Sequence, residues 1–498
     1  MRLLGSMCGG GAFAFASRFL AASLGALLLW GLACAEKTPL RRRNVLLIVV
    51  DTLRRDHLGV YGHTRDTSPS IDALAAQGAV FASAYTTAPW TQPAVASIFT
   101  GSYPSTHGLT RIYQKLDPGQ ITLAERFASQ GYATEGIVSH RLVGKKFNFD
   151  QGFERYSDED GMRHNAISTE KVTAKAIGAL QALATGERPF FLFVHYFDPH
   201  FAYHDHPEIS FAGKGPGRLR QGLLPMNAMR DLTPPPQRAE RRFIIERYDE
   251  EIRHTDAGIG QLLGSLVELG LDDETIIALT SDHGEAIFEH GWLGHTIQVY
   301  EEVLAVPLII RPIPSEAAHR VVEGRVSTLT VAPTLLELAG LDAASDRFQS
   351  ASLAPWVRGD WDKERGERTP VPRKPIFAEV DYRVDGTEPS NKRARKQVWI
   401  QGRYKLIWDD LAGVAELYDL SGDPSERENL VQTKPDRVRQ MLAAMRAFHE
   451  TLEASSEPAQ TLEPTQEELE ALRELGYVGG TDEEESAPSG DDGSGRGS

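Results

Sequence analysis

Cysteine is nearly missing from this 498-residue chain: only Cys8 and Cys34 occur, both within the first 35 residues. Beyond Ala35 there is no thiol, so disulfides cannot hold the body together and cysteine chemistry is excluded from it. Positive charge is also short. Lys and Arg number 53 against 69 Asp and Glu, a formal net charge of −16. That balance argues against a nucleic-acid binder, whose contact face would be basic. No internal repeat is visible. Long apolar runs are scarce too: Phe19 to Ala35 is a little short of the ~20 residues that a membrane span needs.

That one run is nonetheless informative. Arg2 and Arg18 precede it, and Ala33-Cys34-Ala35 closes it with the small-x-small pattern of a secretory signal peptide. Residues 1–35 are therefore expected to be an export signal, placing the protein in the periplasm or the extracellular space. Cys34 offers an alternative lipid anchor, which would make it a membrane-anchored lipoprotein, although Gly31 stands where such signals usually have Leu. Secretion and anchoring are not separated by the sequence.

The remaining length suits one extended α/β unit with a smaller partner. Asn44 to Val50 is continuously apolar and β-branched, the pattern of a parallel strand buried on both faces. Ser68-Pro69 predicts a helix to about Gln77, with Ser as cap and Pro in its first turn. Further strands are expected at Tyr132 to Val138, Phe190 to Phe197, Thr275 to Ser281 and Val306 to Arg311. Helices are expected over Ile121 to Gln130, Ser168 to Leu183 and Arg238 to Leu269. Such alternation implies a central, mostly parallel sheet flanked by helices. Asp51, Asp198 and Asp282 each follow a strand at its carboxyl end, where folds of this kind place their chemistry. Strand-like runs at Pro375 to Glu379, Gln397 to Ile400 and Tyr404 to Trp408, then a helix from Lys434 to Leu452, imply a C-terminal antiparallel-sheet subdomain. The expected division is 44–360 catalytic, 370–456 C-terminal subdomain, 457–478 extension and 479–498 a disordered acidic tail.

Several motifs occur in a telling order. Asn44 to Arg54 leads into Asp56-His57-Leu58-Gly59-Val60-Tyr61-Gly62, and Thr91-Gln92-Pro93-Ala94-Val95-Ala96-Ser97 follows. Far downstream come Thr280-Ser281-Asp282-His283-Gly284-Glu285, Glu289-His290-Gly291, Gly294-His295 and Tyr300-Glu301-Glu302. Gly402-Arg403-Tyr404-Lys405 and Leu417-Tyr418-Asp419-Leu420 close the series. This order resembles the sulfatase family of the alkaline phosphatase superfamily, from about Asn44 to Val478.

The resemblance implies an alkaline phosphatase-like fold and a metal-dependent ester hydrolase or transferase. It also implies a nucleophile at position 91, where sulfatases carry Cys or Ser that is oxidised to formylglycine. Threonine cannot become that aldehyde. Asp51, Asp282, His283 and Thr91 match the ligands of one divalent cation, with Ca, Mn, Mg and Zn left open. His200 matches a histidine that faces the substrate and protonates or orients the leaving oxygen. His295 stands where many sulfatases have lysine. Val95 replaces an arginine, Ser139 replaces the lysine of a Gly-Lys-Trp-His segment, and Thr52 replaces a second aspartate. Arg141 or His140 is the expected compensating group for substrate binding. Asp198, His200 and His204 are the only clustered residues for a second cation, with the wrong spacing for two-metal relatives.

A threonine ester has no formylglycine-type exit and must be attacked by water or another acceptor. The expected substrate is therefore a phosphate-type ester (mono-, di- or phosphonate) on an anionic molecule such as a glycan or lipid head group. Alternatives are a sulfuric ester hydrolase working without formylglycine, or a silent fold that binds an anion. No protein partner is expected.

Overall fold

Asn44–Val50 (β1) is buried at every residue, and the rest of the fold is arranged about it. The computed structural model describes residues 42–159, 168–343, 347–362, 367–368, 371, 373–382, 393–453, 459–474 and 476–477. The segment expected to be an export signal, with Cys8 and Cys34, and the expected acidic tail from Gly479 onward lie outside the described residues. Among the described residues no helix is long and apolar enough to cross a membrane.

Among the described residues the main sheet has nine strands. After β1 come β2 (Ala79–Tyr85), β3 (Ala133–Val138), β4 (Arg155–Ser157), β5 (Phe190–Tyr196), β6 (Thr275–Ser281), β7 (Ala305–Val306), β8 (Leu308–Arg311) and β9 (Arg320–Ser327). β1 pairs in parallel with β5 and β6, β5 with β3, and β3 with β4. β8 runs antiparallel to β6 and β2, and β9 is parallel to β2. The strand expected from Val306 to Arg311 is interrupted at Pro307, which has no N–H to donate to a ladder.

The helices that matter for the site are α1 (Pro69–Ala75), α2 (Thr91–Thr100), α3 (Leu123–Ser129), α4 (Thr169–Ala184) and α5 (Arg238–Glu268). Successive β1 side chains alternate between two cores. Val45, Leu47 and Val49 pack with Val95, Ile98 and Phe99 of α2. Leu46, Ile48 and Val50 pack with Val172 and Ala176 of α4 and Ile252 and Ile259 of α5. Coverage on both faces is why β1 reads as unbroken hydrophobicity.

Two helix starts show the limits of local reading. Thr122 and Glu125 form a reciprocal capping box on α3. Ser68, expected to cap α1, instead accepts from the Gly59 N–H at 2.9 Å. The first α1 amides are capped from a distance: Asp256 of α5 accepts from Ser70 N at 3.0 Å and Ile71 N at 2.8 Å.

A second sheet, β10 (Ile376–Tyr382), β11 (Ala394–Gln401), β12 (Tyr404–Asp409) and β13 (Val414–Asp419), is a four-stranded antiparallel meander. Helix α6 (Pro435–Glu453) packs on it through Met441 and Met445. Beyond it, Gln460–Thr461 pairs with Gln114–Lys115, and α7 (Gln466–Glu474) follows.

α2 is buried along its whole length. It is held from several sides: Ser97 Oγ meets Thr87 Oγ1 at 2.8 Å and His107 Nε2 at 3.1 Å, and Gln92 Nε2 donates to Gln114 O at 2.9 Å. It ends at Gly101 in the left-handed region (φ 68°), where an added Cβ would lie 2.5 Å from the Phe348 ring. His107 Nδ1 accepts from Leu109 N at 3.2 Å, so the ring is neutral with its proton on Nε2.

Burial lowers the His107 pKa from 6.5 to about 3. A folded pKa below the unfolded one means that the unfolded chain binds the extra proton. Stability is complete above about pH 6.5 and falls as pH drops towards 3, by ~1.4 kcal/mol per pH unit for this one proton. Urea unfolding between pH 4.5 and 7 should show that slope, and His107→Gln should reduce it by about one proton.

Candidate active site

The register of the main sheet decides where the acidic strand ends go. Val50 lies beside Tyr196 on one side and Ser281 on the other. Asp51 and Asp282 therefore emerge from neighbouring strands at one carboxyl edge. The turn after β1 is tight: Thr52, a β-branched residue, has φ 53°, a conformation that costs on the order of 1–3 kcal/mol. Its carbonyl accepts from the Tyr248 hydroxyl at 2.6 Å, and its N–H faces Asp282 Oδ1 at 3.4 Å. The Thr52 hydroxyl is buried and has no hydrogen-bond partner.

Four of the sequence-identified residues meet at this edge. Thr91 Oγ1 lies 3.3 Å from His283 Nε2 and 3.5 Å from Asp51 Oδ2. His283 Nε2 in turn lies 3.4 Å from Asp282 Oδ2 and 3.7 Å from Asp51 Oδ1. All four residues are fully buried. Thr91 is the first residue of α2, whose opening amides have no side-chain cap. Uncapped N–H groups and the helix dipole make that place favourable for an anion.

The donor set fits a divalent cation. Asp51 Oδ1 and Asp282 Oδ2 are buried without a hydrogen-bond partner. His283 Nδ1 lies 3.0 Å from Gly284 O, so it carries the ring proton and leaves the Nε2 lone pair facing the carboxylates. Burial, with Asp282 and Glu285 nearby, raises the Asp51 pKa well above the ordinary value. That is the expected state of crowded carboxylates with no positive charge among them. Ligand atoms about 3–4 Å apart suit bonds of ~2.0–2.5 Å to one ion.

Three more histidines surround Thr91. His140 Nδ1 accepts from Leu142 N at 3.0 Å, which leaves its Nε2–H facing Asp51 Oδ2 at 3.7 Å. His295 Nδ1 lies 2.9 Å from Glu285 Oε1, and burial with His283 beside it keeps the ring neutral. His200 stacks on Phe197 at 4.5 Å, meets His295 edge-on at 5.0 Å, and has Nδ1 2.6 Å from Phe201 O. Arg141 places its guanidinium beside the Tyr113 hydroxyl. Of the two compensating residues expected there, His140 is the one that faces Asp51.

Asp198 and His204, the candidates of unsuitable spacing for a second cation, are each engaged elsewhere. Asp198 Oδ2 accepts from Ser168 N at 3.0 Å, Thr169 N at 2.8 Å and Thr169 Oγ1 at 2.6 Å, capping α4. The His204 N–H is held by Glu251. His57, His107 and His290 bond Asp249, Ser97 and Glu302 respectively.

Sequence reasoning missed three members of the site. His195 of β5 is fully buried, with neither ring nitrogen hydrogen-bonded, and shares a potential ligand group with Asp51 and Asp282. Its signal was an imidazole inside the apolar run Phe190 to Tyr196. Arg230, whose pKa burial lowers to about 10, donates to Leu293 O at 2.7 Å and supplies positive charge near Glu285. Tyr477 is the third, with its hydroxyl 3.2 Å from Thr91 Oγ1. Its only signal was an aromatic residue after an acidic amphipathic helix.

Comparison with known proteins identifies the family and the fold. The family described as Sulfatase matches residues 43–341, and the C-terminal region of N-sulphoglucosamine sulphohydrolase matches residues 288–455. The chain is 28% identical over 405 residues to iduronate 2-sulfatase of Homo sapiens, covering 66% of this chain and 70% of that one. It is 24% identical to N-acetylglucosamine-6-O-sulfatase of Bacteroides thetaiotaomicron, over 86% of this chain and 89% of the relative. Among solved structures, the phosphonate monoester hydrolase of Agrobacterium radiobacter superposes with a TM-score of 0.67 at 22% identity, covering 86% of this chain and 99% of that one.

Proposed function

The chain belongs to the sulfatase family of hydrolases, and from that premise we propose that it cleaves or transfers phosphate-type esters through Thr91, with one divalent cation held by Asp51, Asp282, His283 and Thr91. The observation that carries this reading is a threonine hydroxyl, not an oxidisable Cys or Ser, placed first on α2 between Asp51 Oδ2 and His283 Nε2. When bound, the cation would acidify that hydroxyl and offset charge on the transferred group.

The side chains supply the rest. Thr91 Oγ attacks phosphorus and forms an O–P bond, while its proton leaves towards Asp51 Oδ2. The bond from phosphorus to the ester oxygen breaks, and His200 acts in this step as the imidazolium: its Nδ1–H stays on Phe201 O while Nε2 gives its proton to that oxygen. His140 and His295 flank the nonbridging oxygens. Water or an alcohol then attacks phosphorus opposite Thr91, losing its proton to the now neutral His200, and the Thr91 O–P bond breaks as Oγ takes back the proton held by Asp51. A sulfuryl group on Thr91 would lack the aldehyde exit and persist as a dead-end ester.

Sulfate esters are the rival, favoured by relatives named as sulfatases of sugars. Against them stand Thr91, Val95 and Ser139, where the supporting Arg and Lys are gone. The substrate class is an anionic ester, carried by a glycan or a lipid head group, met outside the cytoplasm. Matched nitrophenyl phosphate, phosphodiester, phosphonate and sulfate esters, assayed with several divalent metals, test the reading. Phosphate-type esters should turn over faster than the matched sulfate. Sustained multiple-turnover sulfate release at the higher rate would restore a sulfatase assignment.

A further inference from the structure

The segment that follows α6 forms a separate two-stranded ladder with Gln114–Lys115, and Tyr477 at its end enters the reaction centre. Thr461 pairs with Gln114, and Leu462 N donates to Tyr113 O at 2.8 Å. α7 then carries the chain across the surface, with Lys146 Nζ 2.5 Å from Glu468 Oε1. Gly476 takes φ 73°, where an added Cβ would lie 2.4 Å from Met226 Sδ, and its carbonyl accepts from Arg230 at 3.0 Å. The Tyr477 carbonyl accepts from the Tyr382 hydroxyl. The Tyr477 side chain enters the centre, its hydroxyl 3.2 Å from Thr91 Oγ1, 3.2 Å from His295 Nε2 and 3.4 Å from His140 Nε2.

This hydroxyl stands where the reacting atom of a substrate must stand. A phosphorus about to be attacked sits ~3–3.5 Å from the nucleophile, and it brings a shell of oxygens with it. Tyr477 takes that position and also occupies His295 and His140. Thr91, His200, His283 and His295 are no more than 2% exposed. An ester cannot reach Thr91 with Tyr477 in place.

We propose that Tyr477 is an intramolecular pseudosubstrate, and that residues 459–474 with Gly476 and Tyr477 act as a latch whose withdrawal opens the site. The inference rests on Thr91 marking the reactive position. Apart from Gly476 and Tyr477, whose carbonyls Arg230 and Tyr382 hold, the segment is anchored like an element that opens locally. Its strand ladder is two residues long, its salt bridge to Lys146 is superficial and of little worth, and Leu472 is the buried residue of α7 among its described side chains. Such lightly anchored elements occupy the low end of local stability.

The test uses the full-length protein as purified, with orthovanadate binding by calorimetry and kcat/KM for an aryl phosphate as readouts. Apparent affinity scales with the fraction of molecules that are open. Tyr477→Ala should therefore tighten vanadate at least ~10-fold and raise kcat/KM in parallel. Leu472→Ala, which loosens the segment without altering the centre, should move both in the same direction. Tyr477→Phe keeps the ring and should stay near the parent. Unchanged vanadate affinity in Tyr477→Ala overturns the latch. Weaker binding in both Tyr477 variants also overturns it and makes Tyr477 a substrate-holding residue. If Thr91 is not the nucleophile, Thr91→Ala retains turnover while Tyr477→Ala still tightens vanadate, which separates the two failures.

Discussion

Thr91→Ala should lower kcat for an aryl phosphate by roughly three to six orders of magnitude, the range for loss of an attacking side chain. The protein should remain folded. Only a hydroxyl and a methyl leave a helix start whose other anchors, Ser97 and Gln92, keep all their partners. Metal content should fall little, because Asp51, Asp282 and His283 stay in place. Turnover, elemental analysis and thermal unfolding on one preparation separate these effects. Undiminished turnover in a metal-loaded variant would show that another group attacks. Thr91→Ser, which keeps the hydroxyl on the same helix, should retain part of the activity. Its extra rotational freedom should lower kcat more than it raises KM.

The second large effect is on stability. Lys405 of β12 is completely buried, with Nζ 2.9 Å from Glu426 Oε1 and 3.2 Å from Glu301 Oε1. Glu426 also accepts from Glu301 N at 2.6 Å, and its carbonyl faces His290 Nε2 at 3.1 Å. Burial works against the Lys405 charge, but Glu426 and Glu301 outweigh it and raise the amine's pKa. Burial raises Glu426 to about 7 even with that amine beside it. Lys405→Ala strands the buried Glu426, while Glu301 keeps the Tyr85 hydroxyl at 3.0 Å, and should cost about 3–5 kcal/mol.

The direction with pH follows from Glu426. Its folded pKa lies above the ordinary 4.5, so its contribution is most favourable below that value and declines as pH rises through 7. The Lys405→Ala penalty should therefore be larger at pH 8 than at pH 5. The double variant Lys405→Met/Glu426→Gln should recover much of the loss. Urea unfolding of the parent, Lys405→Met, Glu426→Gln and the double variant measures the coupling, and additive losses would show that the pair is not linked.

How much was legible in advance follows from how far each interaction reaches along the chain. β1, β5, β6 and the long α5 lie within a residue or two of their expected bounds, because each is an unbroken run of one local pattern. The acidic residues at their ends were visible for the same reason. Non-local choices were not visible. Whether Ser68 or Asp256 caps α1 depends on how α5 packs against it. Whether Asp198 holds a metal or caps α4 depends on where Ser168 and Thr169 arrive. Between His140 and Arg141, adjacent in sequence, a single turn decides which faces Asp51.

The sequence by itself determined the chemical identity of position 91. A threonine side chain cannot become an aldehyde whatever surrounds it, and no folding changes that. It also determined, through apolar runs that end in Asp51 and Asp282, that carboxylates would stand at strand ends. The tertiary structure alone decided which ends are neighbours, because Val50 lies beside Ser281 only through a parallel pairing across 231 residues of chain. It alone decided that Tyr477, 386 residues from Thr91, comes to rest against it. Hydrophobic periodicity carries information over a few turns of chain, whereas register and docking are set by the packing of whole elements.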